Sequence, residues 1–319
     1  MRELAAKLVL LAMIITAFQA ALFRAKVPEN VLLLERSLRE GVDIVYFGDS
    51  SNRAYSPQDT DRRSISKMLA DELHGPSLVT IDHDAYQMDV YLAYCRLLAR
   101  HDRPPEAVVI PINMRTFSVS WDLRPAWQFE KERFVLAGPI QRVIYQPFYK
   151  PLGVFKAVKP SEVSPQEYYA APVYDGQVKV GLVRDFDNPS YRNVTDERIA
   201  RKLVFHYMYA LEPGHRKVRS MVEIPRLLAA RGIRAIFYIT PIDHETGRRY
   251  LGERFSRRLD ANVALVLSLL QGEGADTLNL STALGASDFC WKPYYPNEHL
   301  SLIHISEPTR PLYISYAVF

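Results

Sequence analysis

Three short motifs in the sequence carry side chains suited to nucleophilic catalysis. The first, Gly-Asp-Ser-Ser at residues 48–51, directly follows an apolar run, and its glycine allows a tight turn that exposes the Ser50 hydroxyl. The backbone N–H groups of such a turn can stabilise an oxyanion. Gly, Asp and Ser are also the commonest turn residues, so an ordinary strand-to-helix turn explains this motif at least as well by itself.

The other two motifs lie further along the chain. Asn113 ends an apolar run, where its side-chain amide could donate to the same oxyanion; a turn-forming asparagine is the alternative. His299 lies in the sequence Asn297-Glu298-His299-Leu300, and histidine is the usual group that takes a proton from a serine. An isolated histidine is more often a surface or capping residue, so no motif identifies an active site alone.

The motifs follow strands of a predicted α/β fold. Five apolar strands separated by helices predict a parallel sheet covered on both faces. Chemistry in such sheets lies at the carboxyl ends of the strands, where residues 48–51 and Asn113 fall. The predicted strands are Val42–Phe47, Ser77–Asp82, Ala107–Ile112, Arg234–Ile239 and Asp276–Leu280, and the helices include Glu29–Glu40, Ser64–Leu73, Tyr86–Arg100, Glu197–Leu211, Lys217–Arg231 and Phe255–Leu270.

The alternation of strands and helices also predicts the domain organisation. An α/β domain is formed by residues 27–113 and 216–300, and residues 114–215, rich in Pro, Tyr, Phe and Trp, form an insertion or cap after the third strand. In residues 301–319, two prolines interrupt any helical pattern. This tail is either a strand-like extension or not the natural continuation of the reading frame, and we favour the second.

The N-terminus has the pattern of an export signal. Residues Leu8–Phe23 are apolar with two exceptions, and Arg2 and Lys7 precede them. Because no Ala-x-Ala cleavage site follows, we favour an uncleaved signal anchor over residues 1–26, rather than a cleaved signal peptide. The expected location is anchored in the inner membrane, facing the periplasm or the cell exterior. The alternative is a buried amphipathic helix of a soluble protein.

Composition excludes several classes of protein. The 319 residues carry 40 Lys+Arg and 36 Asp+Glu, a net charge of +4 that is too small to indicate a nucleic-acid partner. The two cysteines, Cys95 and Cys290, exclude a disulfide scaffold and a Cys-rich zinc site; two buried thiols are favoured over one bridge. The sequence has no P-loop, dinucleotide fingerprint or His-Glu-x-x-His motif, so no cofactor or metal is expected.

Two further groups of residues lie near the predicted strand ends. Arg115 could hold an anionic substrate group, although a surface arginine is favoured. Asp243 and His244 follow the fourth strand and could form a second acid/base pair or weak metal ligands. Adjacent side chains on an extended segment point in opposite directions, which disfavours both roles.

Taken together, a Gly-Asp-Ser after the first strand, an Asn after the third and a late His resemble the SGNH, or GDSL, hydrolase superfamily. The resemblance runs in order through most of residues 42–300. It implies that Ser50 is the nucleophile, that His299 is the general base, and that Asn113 donates to the oxyanion together with the Ser50 backbone N–H. It also implies a flavodoxin-like three-layer α/β/α sandwich, in agreement with the predicted elements.

The sequence departs from the superfamily pattern at two places. After the second strand, where the superfamily has an oxyanion-donating glycine, the sequence reads Asp82-His83-Asp84-Ala85. Three residues before His299, where it has an aspartate, the sequence has Pro296. Some polysaccharide O-acetyltransferase relatives have Asp-x-His instead, and that position is Asn297, whose amide oxygen can orient an imidazole. The acid member of the triad is therefore unassigned.

The layout of anchor, Gly-Asp-Ser turn, insertion and late histidine is similar to that of the DltD-like and alginate-acetylation (AlgJ/AlgX-like) cell-envelope proteins. It implies an exported serine esterase or O-acyltransferase that acts on ester-linked acyl groups of a cell-envelope glycan, through an acyl-Ser50 intermediate. The implied partners are an acylated glycan or other ester substrate, the membrane, and a membrane acyl-transfer protein. The alternative is a catalytically silent SGNH-like module that binds a glycan or an envelope assembly partner.

Overall fold

A computed structural model of the protein describes residues 2–22, 27–55, 59, 61–122, 125–144 and 196–289. Within these residues, the strands form one five-stranded, all-parallel sheet in the order β2-β1-β3-β4-β5. This is the flavodoxin-like order, and it confirms the predicted fold class. The strands are β1 (Ile44–Gly48), β2 (Leu78–Asp82), β3 (Ala107–Ile112), β4 (Arg234–Ile239) and β5 (Asp276–Asn279).

Helices pack on the sheet and connect its strands. Their bounds in the first half of the chain are α1 (Arg2–Leu22), α2 (Glu29–Glu40), α3 (Ser50–Arg53), α4 (Ile65–Glu72), α5 (Met88–Arg100), α6 (Val119–Asp122), α7 (Glu130–Ala137) and α8 (Pro139–Ile144). Those after the gap are α9 (Asp196–Tyr207), α10 (Arg216–Ala229), α11 (His244–Leu251) and α12 (Glu253–Gly272). Short 3-10 turns cover Met114–Phe117, Pro125–Gln128 and Ala286–Asp288.

The core lies on both faces of the sheet, because alternate strand residues point to opposite faces. On one face, Val45, Phe47, Val108 and Ile110 join a large apolar cluster with helices that include α2, α5, α10 and α12. On the other face, residues of the same strands, such as Tyr46, pack against a smaller cluster that includes α4. Burial on both faces explains why the central strands are continuous apolar runs.

A proline shapes the sheet at its centre. The N–H of Ala107 bonds towards β1, whereas the carbonyl of Ile112 accepts from the segment after β4, so odd-numbered residues of β3 face β1. Pro111 is one of these and has no N–H to donate. The pairing between β1 and β3 accordingly ends at Tyr46 and Val109, while the pairing with β4 continues to Ile112. The carboxyl ends of β1 and β3 are thus left unpaired with each other.

Helix α11 was not predicted from the sequence. Its segment, HETGRRYL, has few apolar residues and a glycine in its middle. The structure gives the reason for this glycine: a Cβ at Gly247 would lie 2.1 Å from the ring of Phe255. The close packing of α11 on α12 therefore requires glycine at position 247, although glycine is unfavourable inside a helix.

The sequence analysis predicted a signal anchor at the N-terminus, where the structure has helix α1. The large apolar residues of α1 from Leu4 to Ile15 have 47% to 64% of their surface accessible. Among the described residues, no helix combines the length and the apolarity needed to cross a membrane.

Of the two cysteines, Cys95 is a free, fully buried thiol, and burial raises its pKa. Cys290 lies outside the described residues.

Candidate active site

The Gly-Asp-Ser turn is built where β1 ends. A Cβ at Gly48 would lie 2.9 Å from Asp82 Cβ and 3.0 Å from Asn52 Cβ, so only glycine lets β1, β2 and α3 approach this closely. Asp49 is the N-cap of α3, and its Oδ1 accepts from the Ser51 backbone N–H (2.7 Å) and the Ser51 hydroxyl (2.6 Å). The cap fixes the direction in which α3 leaves the strand.

Ser50 is the first residue of α3 and is half-buried. It lies at the carboxyl end of the sheet, as the sequence predicted for a nucleophile. Its neighbours on either side, Asp49 and Ser51, are both buried. Of these three consecutive polar residues, Ser50 is therefore the one with the most accessible surface.

Asn113 meets this turn from β3. Its Nδ2 donates to Asp49 Oδ2 over 3.0 Å, and its Oδ1 accepts from the Arg115 backbone N–H over 3.1 Å. These two bonds fix which end of the amide faces the turn, because a carboxylate can only accept. An amide nitrogen carries two hydrogens, so the bond to Asp49 leaves one for a developing oxyanion.

Asp49 is a residue to which the sequence analysis gave no role. Its two carboxylate oxygens divide their contacts: Oδ1 takes those from Ser51 and Oδ2 takes the one from Asn113. The carboxylate thus joins the ends of β1 and β3 across the point where the strand order reverses, which is where open α/β sheets form their ligand crevice. The preference for Asp at helix N-caps was the available signal.

The second strand ends in a segment that anchors α3. Asp82 Oδ2 accepts from Asn52 Nδ2 over 2.8 Å and is 3.2 Å from Arg53 Nε, while Arg53 also pairs with Asp84 over 2.9 Å. Asn52 additionally exchanges hydrogen bonds with Ser66 at the start of α4. The helix that carries Ser50 is thereby fixed to two neighbouring elements.

Ala85 occupies the segment where the superfamily has its glycine. Its φ is +69°, in the left-handed region that favours glycine, and it is buried. Its carbonyl accepts from Trp121 Nε1 over 3.2 Å. The backbone of this segment therefore takes a glycine-like conformation although the sequence has no glycine there.

His299 and Asn297 lie outside the described residues, as do Pro296, most of the insertion and residues 301–319. The predicted approach of His299 to Ser50, and of Asn297 to His299, stays a prediction. Of the four predicted site residues, the structure describes Ser50 and Asn113 and places both at the same edge of the sheet.

Arg115 is not the surface arginine that the sequence analysis favoured. It is 3% exposed, and its guanidinium lies over the ring of Trp121 with 5.4 Å from Cζ to the centroid. A cation held against an aromatic face can stay charged away from water. Arg115 lies two residues after Asn113 and packs against Trp121, at the start of the segment that follows β3.

Asp243 and His244 have separate tasks in the structure. Asp243 caps α11, with its oxygens accepting from the backbone N–H (2.9 Å) and the hydroxyl (2.7 Å) of Thr246. His244 is half-buried and packs edge-on against Phe255, and burial lowers its pKa. No hydrogen bond joins the two side chains, and the described residues hold no cluster of metal-ligating groups.

No protein-family model and no curated protein matches the sequence. Among solved structures, the chain is similar to an α/β hydrolase enzyme from the metagenome of Lake Arreo, Spain, at 12% identity, over 87% of this chain and 91% of that chain, with a TM-score of 0.36. It is also similar to an aryl esterase from M. smegmatis at 11% identity, over 75% of this chain and 84% of that chain, with a TM-score of 0.28. The three-layer α/β assignment rests on the strand order and the helices described above.

Proposed function

We propose that the protein is a serine ester hydrolase of the SGNH type with Ser50 as its nucleophile. The observation that carries the proposal is the 3.0 Å hydrogen bond from Asn113 Nδ2 to Asp49 Oδ2. It brings an amide donor from β3 to the turn that presents Ser50, at the crevice where this fold binds ligands. An alcohol and an oriented amide donor are two of the three groups that acyl transfer needs.

In the proposed reaction, the Ser50 hydroxyl oxygen attacks the ester carbonyl carbon while His299 takes the hydroxyl proton. The carbonyl oxygen becomes an oxyanion, held by the Ser50 N–H and the free hydrogen of Asn113 Nδ2. His299 then gives the proton to the departing alkoxide, leaving acyl-Ser50 and a free alcohol. Water, or a sugar hydroxyl in the transfer reaction, then gives a proton to His299 as its oxygen attacks the acyl carbon. His299 returns this proton to the Ser50 oxygen as the acyl–oxygen bond breaks, which releases a carboxylic acid or the new ester.

For the substrate, we propose an ester-linked acyl group on a cell-envelope glycan. Aromatic side chains near the site support this choice, because aromatic rings can stack on sugar rings. Trp121 is buried and bonds to the segment after β2, whereas the half-buried Trp127, 4.4 Å away from centroid to centroid, is the ring with surface left for a sugar. Both residues belong to the start of the insertion after β3, on the side of the sheet where Ser50 lies.

We also propose that α1 directs export. The charged residues Arg2 and Lys7 precede an apolar stretch, and its large apolar side chains from Leu8 to Ile15 are exposed rather than packed in the core. Fusion of residues 1–26 to a periplasmic reporter enzyme tests this: the reporter should become active outside the cytoplasm. Loss of reporter export in the Leu11→Arg variant, with export kept in Ala6→Ser, is the expected pattern, and equal export by both would contradict the proposal.

Labelling with a fluorophosphonate probe tests the enzymatic proposal, because the probe reacts with an activated serine. The protein should be labelled, and Ser50→Ala should abolish both labelling and hydrolysis of p-nitrophenyl acetate. Ser268→Ala removes an exposed hydroxyl on α12 and is the matched control, which should keep full labelling. His299→Ala should lower the labelling rate by a factor of about 10³ or more.

The silent glycan-binding module is the outcome that would replace this proposal. It would be indicated by an unlabelled protein that still binds an acylated glycan, with Ser50→Ala binding equally well. Circular dichroism of Ser50→Ala should match that of the parent protein, so that a lost signal reports lost chemistry rather than lost fold.

A further inference from the structure

A cavity of about 330 Å³ lies between α5, α7 and α10, on the outer side of the helix layer. None of the residues lining it belongs to the candidate active site. Four of them are arginines from three different helices: Arg96 on α5, Arg133 on α7, and Arg216 and Arg219 on α10. The acidic residues that line it are Asp89 and Glu223. The four arginines and two acidic residues give the lining a net charge of +2.

The arginines differ in how their charge is compensated. Arg96 pairs with Glu223 over 2.6 Å, and Arg216 pairs with Asp89 and, over 2.8 Å, with Asp122. These pairs hold two guanidinium groups in place at the walls. The Arg133 guanidinium is half-buried and makes no hydrogen bond or ion pair with any residue in the part of the chain that the structure describes. A half-buried charge that lacks a direct partner gains from a ligand that pairs with it.

The arginines also repel one another. Burial lowers the pKa of Arg133 and the positive charge of Arg96 adds to this shift, although the negative charges of Glu130 and Asp122 oppose it. Burial likewise lowers the pKa of Arg216 to about 10, with Arg219 adding to the effect. The surroundings thus disfavour the protonated forms of Arg133 and Arg216. A bound anion would offset both the burial and the repulsion between the arginines.

We propose that this cavity binds the phosphate group of a small soluble molecule. Guanidinium groups reaching one space from three helices suit a tetrahedral, doubly charged oxyanion, because each can donate a pair of hydrogen bonds to different oxygens. A volume of about 330 Å³ leaves room for an organic portion beside the phosphate, next to the apolar side chains of Leu92 and Ala93. This proposal does not depend on the esterase chemistry at Ser50.

Isothermal titration with inorganic phosphate at constant ionic strength tests the proposal. The protein should bind phosphate saturably, with Kd of about 1 mM or tighter, and should not bind acetate, a singly charged planar anion. Arg133→Gln should weaken binding at least tenfold. Arg257→Gln removes an exposed arginine on α12 away from the cavity, and it should bind as the parent protein does.

Thermal unfolding distinguishes a lost site from a lost fold. Without phosphate, Arg133→Gln should unfold at about the same temperature as the parent, because the variant removes a half-buried charge that has no direct hydrogen-bonded partner among the described residues. With phosphate, the unfolding temperature of the parent should rise and that of Arg133→Gln should not. Arg219→Gln provides a second variant with the same expected loss of response. Absence of saturable binding, or an equal response of parent and both variants, would overturn the proposal.

Discussion

A single carboxylate organises the candidate site. Asp49 is 1% exposed, accepts two hydrogen bonds from Ser51 and accepts a third from Asn113. Because a carboxylate offers acceptors alone, both partners must turn their donors towards it. Asp49 is therefore a positioning residue: it orients the turn under Ser50 and the amide of Asn113 at the same time.

Replacement of this carboxylate by an amide should damage both stability and turnover. In Asp49→Asn, one of the acceptors becomes an NH₂ group, which faces the donor of either Ser51 or Asn113. We expect the free energy of unfolding in urea to fall by about 1–3 kcal/mol. We expect ester hydrolysis to fall by about 10², because the reacting groups lose their alignment. Asp260→Asn, at an exposed position on α12, should change neither quantity.

Ala85 is the second residue whose environment is unusual. Its φ of +69° is tolerated by alanine at a cost and is a severe strain for a β-branched residue. Ala85→Val should lower the free energy of unfolding by more than about 2 kcal/mol, through backbone strain and overpacking together. Ala85→Gly should stay within about 1 kcal/mol of the parent. Equal stability of the two variants in urea titrations would contradict the assigned conformation.

Among the elements, the short helix α3 depends on contacts with its neighbours. It has four residues, far fewer than the number at which an isolated helix is stable in water. Its buried contacts come from Asn52, whose Nδ2 donates to Asp82 Oδ2 and Ser66 Oγ and whose Oδ1 accepts from the Ser66 N–H. Its exposed contacts come from Arg53.

The two neighbouring residues of α3 form a matched pair for mutation. Asn52→Ala removes the acceptor of the buried Ser66 N–H and the amide donor to Ser66 and Asp82, and we expect a loss of about 1–3 kcal/mol in the free energy of unfolding. Arg53→Ala breaks ion pairs in which the arginine is 50% exposed, and we expect a change below about 1 kcal/mol. Ester turnover should fall with Asn52→Ala and not with Arg53→Ala. The reverse order in either assay would exclude this account of α3.

The strands could be predicted because burial on both faces of the sheet requires a continuous run of apolar residues. The predicted strands Ala107–Ile112 and Arg234–Ile239 match the structure residue for residue, and both are apolar runs beside the sheet centre. Helix α11 was missed because its segment contains a glycine. That glycine is explained by close contact with Phe255 on the next helix, and a contact between two helices leaves no periodic pattern in the sequence. The effect of Pro111 was missed for the same reason, since it depends on which strand the odd residues face.

For the site, the sequence located Ser50 and Asn113 at the correct edge of the sheet, since chain order and strand ends fix that edge. It did not reveal the bond through Asp49, because a hydrogen bond across 64 residues of sequence leaves no local pattern. The burial of Arg115 was missed too, because its aromatic partner comes from a different element. Positions followed from periodicity, whereas contacts between elements did not.

At the scale of the whole molecule, a buried group of charges joins the segment after β3 to α10. Lys217 on α10 has no exposed side-chain surface; its Nζ donates to the Thr116 carbonyl and lies 2.9 Å from Asp122 Oδ1. Asp122 also pairs with Arg216 over 2.8 Å. Removal of one partner would leave another charge buried without compensation.

This group should make stability depend on alkaline pH. Burial lowers the pKa of Lys217 to about 8 from its ordinary 10.5, although the charge of Asp122 opposes the shift. Between these values the unfolded chain keeps a proton that the folded protein has released, so the free energy of unfolding rises with pH. Relative to Lys217→Met, the parent protein should gain a few kcal/mol between pH 8 and 10, since one pKa unit is about 1.4 kcal/mol. Urea titrations giving parallel pH profiles would contradict this.

The burial of residues 114–118 has a consequence for engineering the protein. Met114, Phe117 and Ser118 are fully buried, and the Met114 carbonyl accepts from the Tyr209 hydroxyl. A chimaera that replaces residues 114–215 with a segment of another protein would remove these residues as well. Asn113 would then lose the backbone that holds its amide in place. The junction should instead be placed after Ser118, so that the recipient protein keeps residues 114–118 and with them the backbone that holds Asn113 in place.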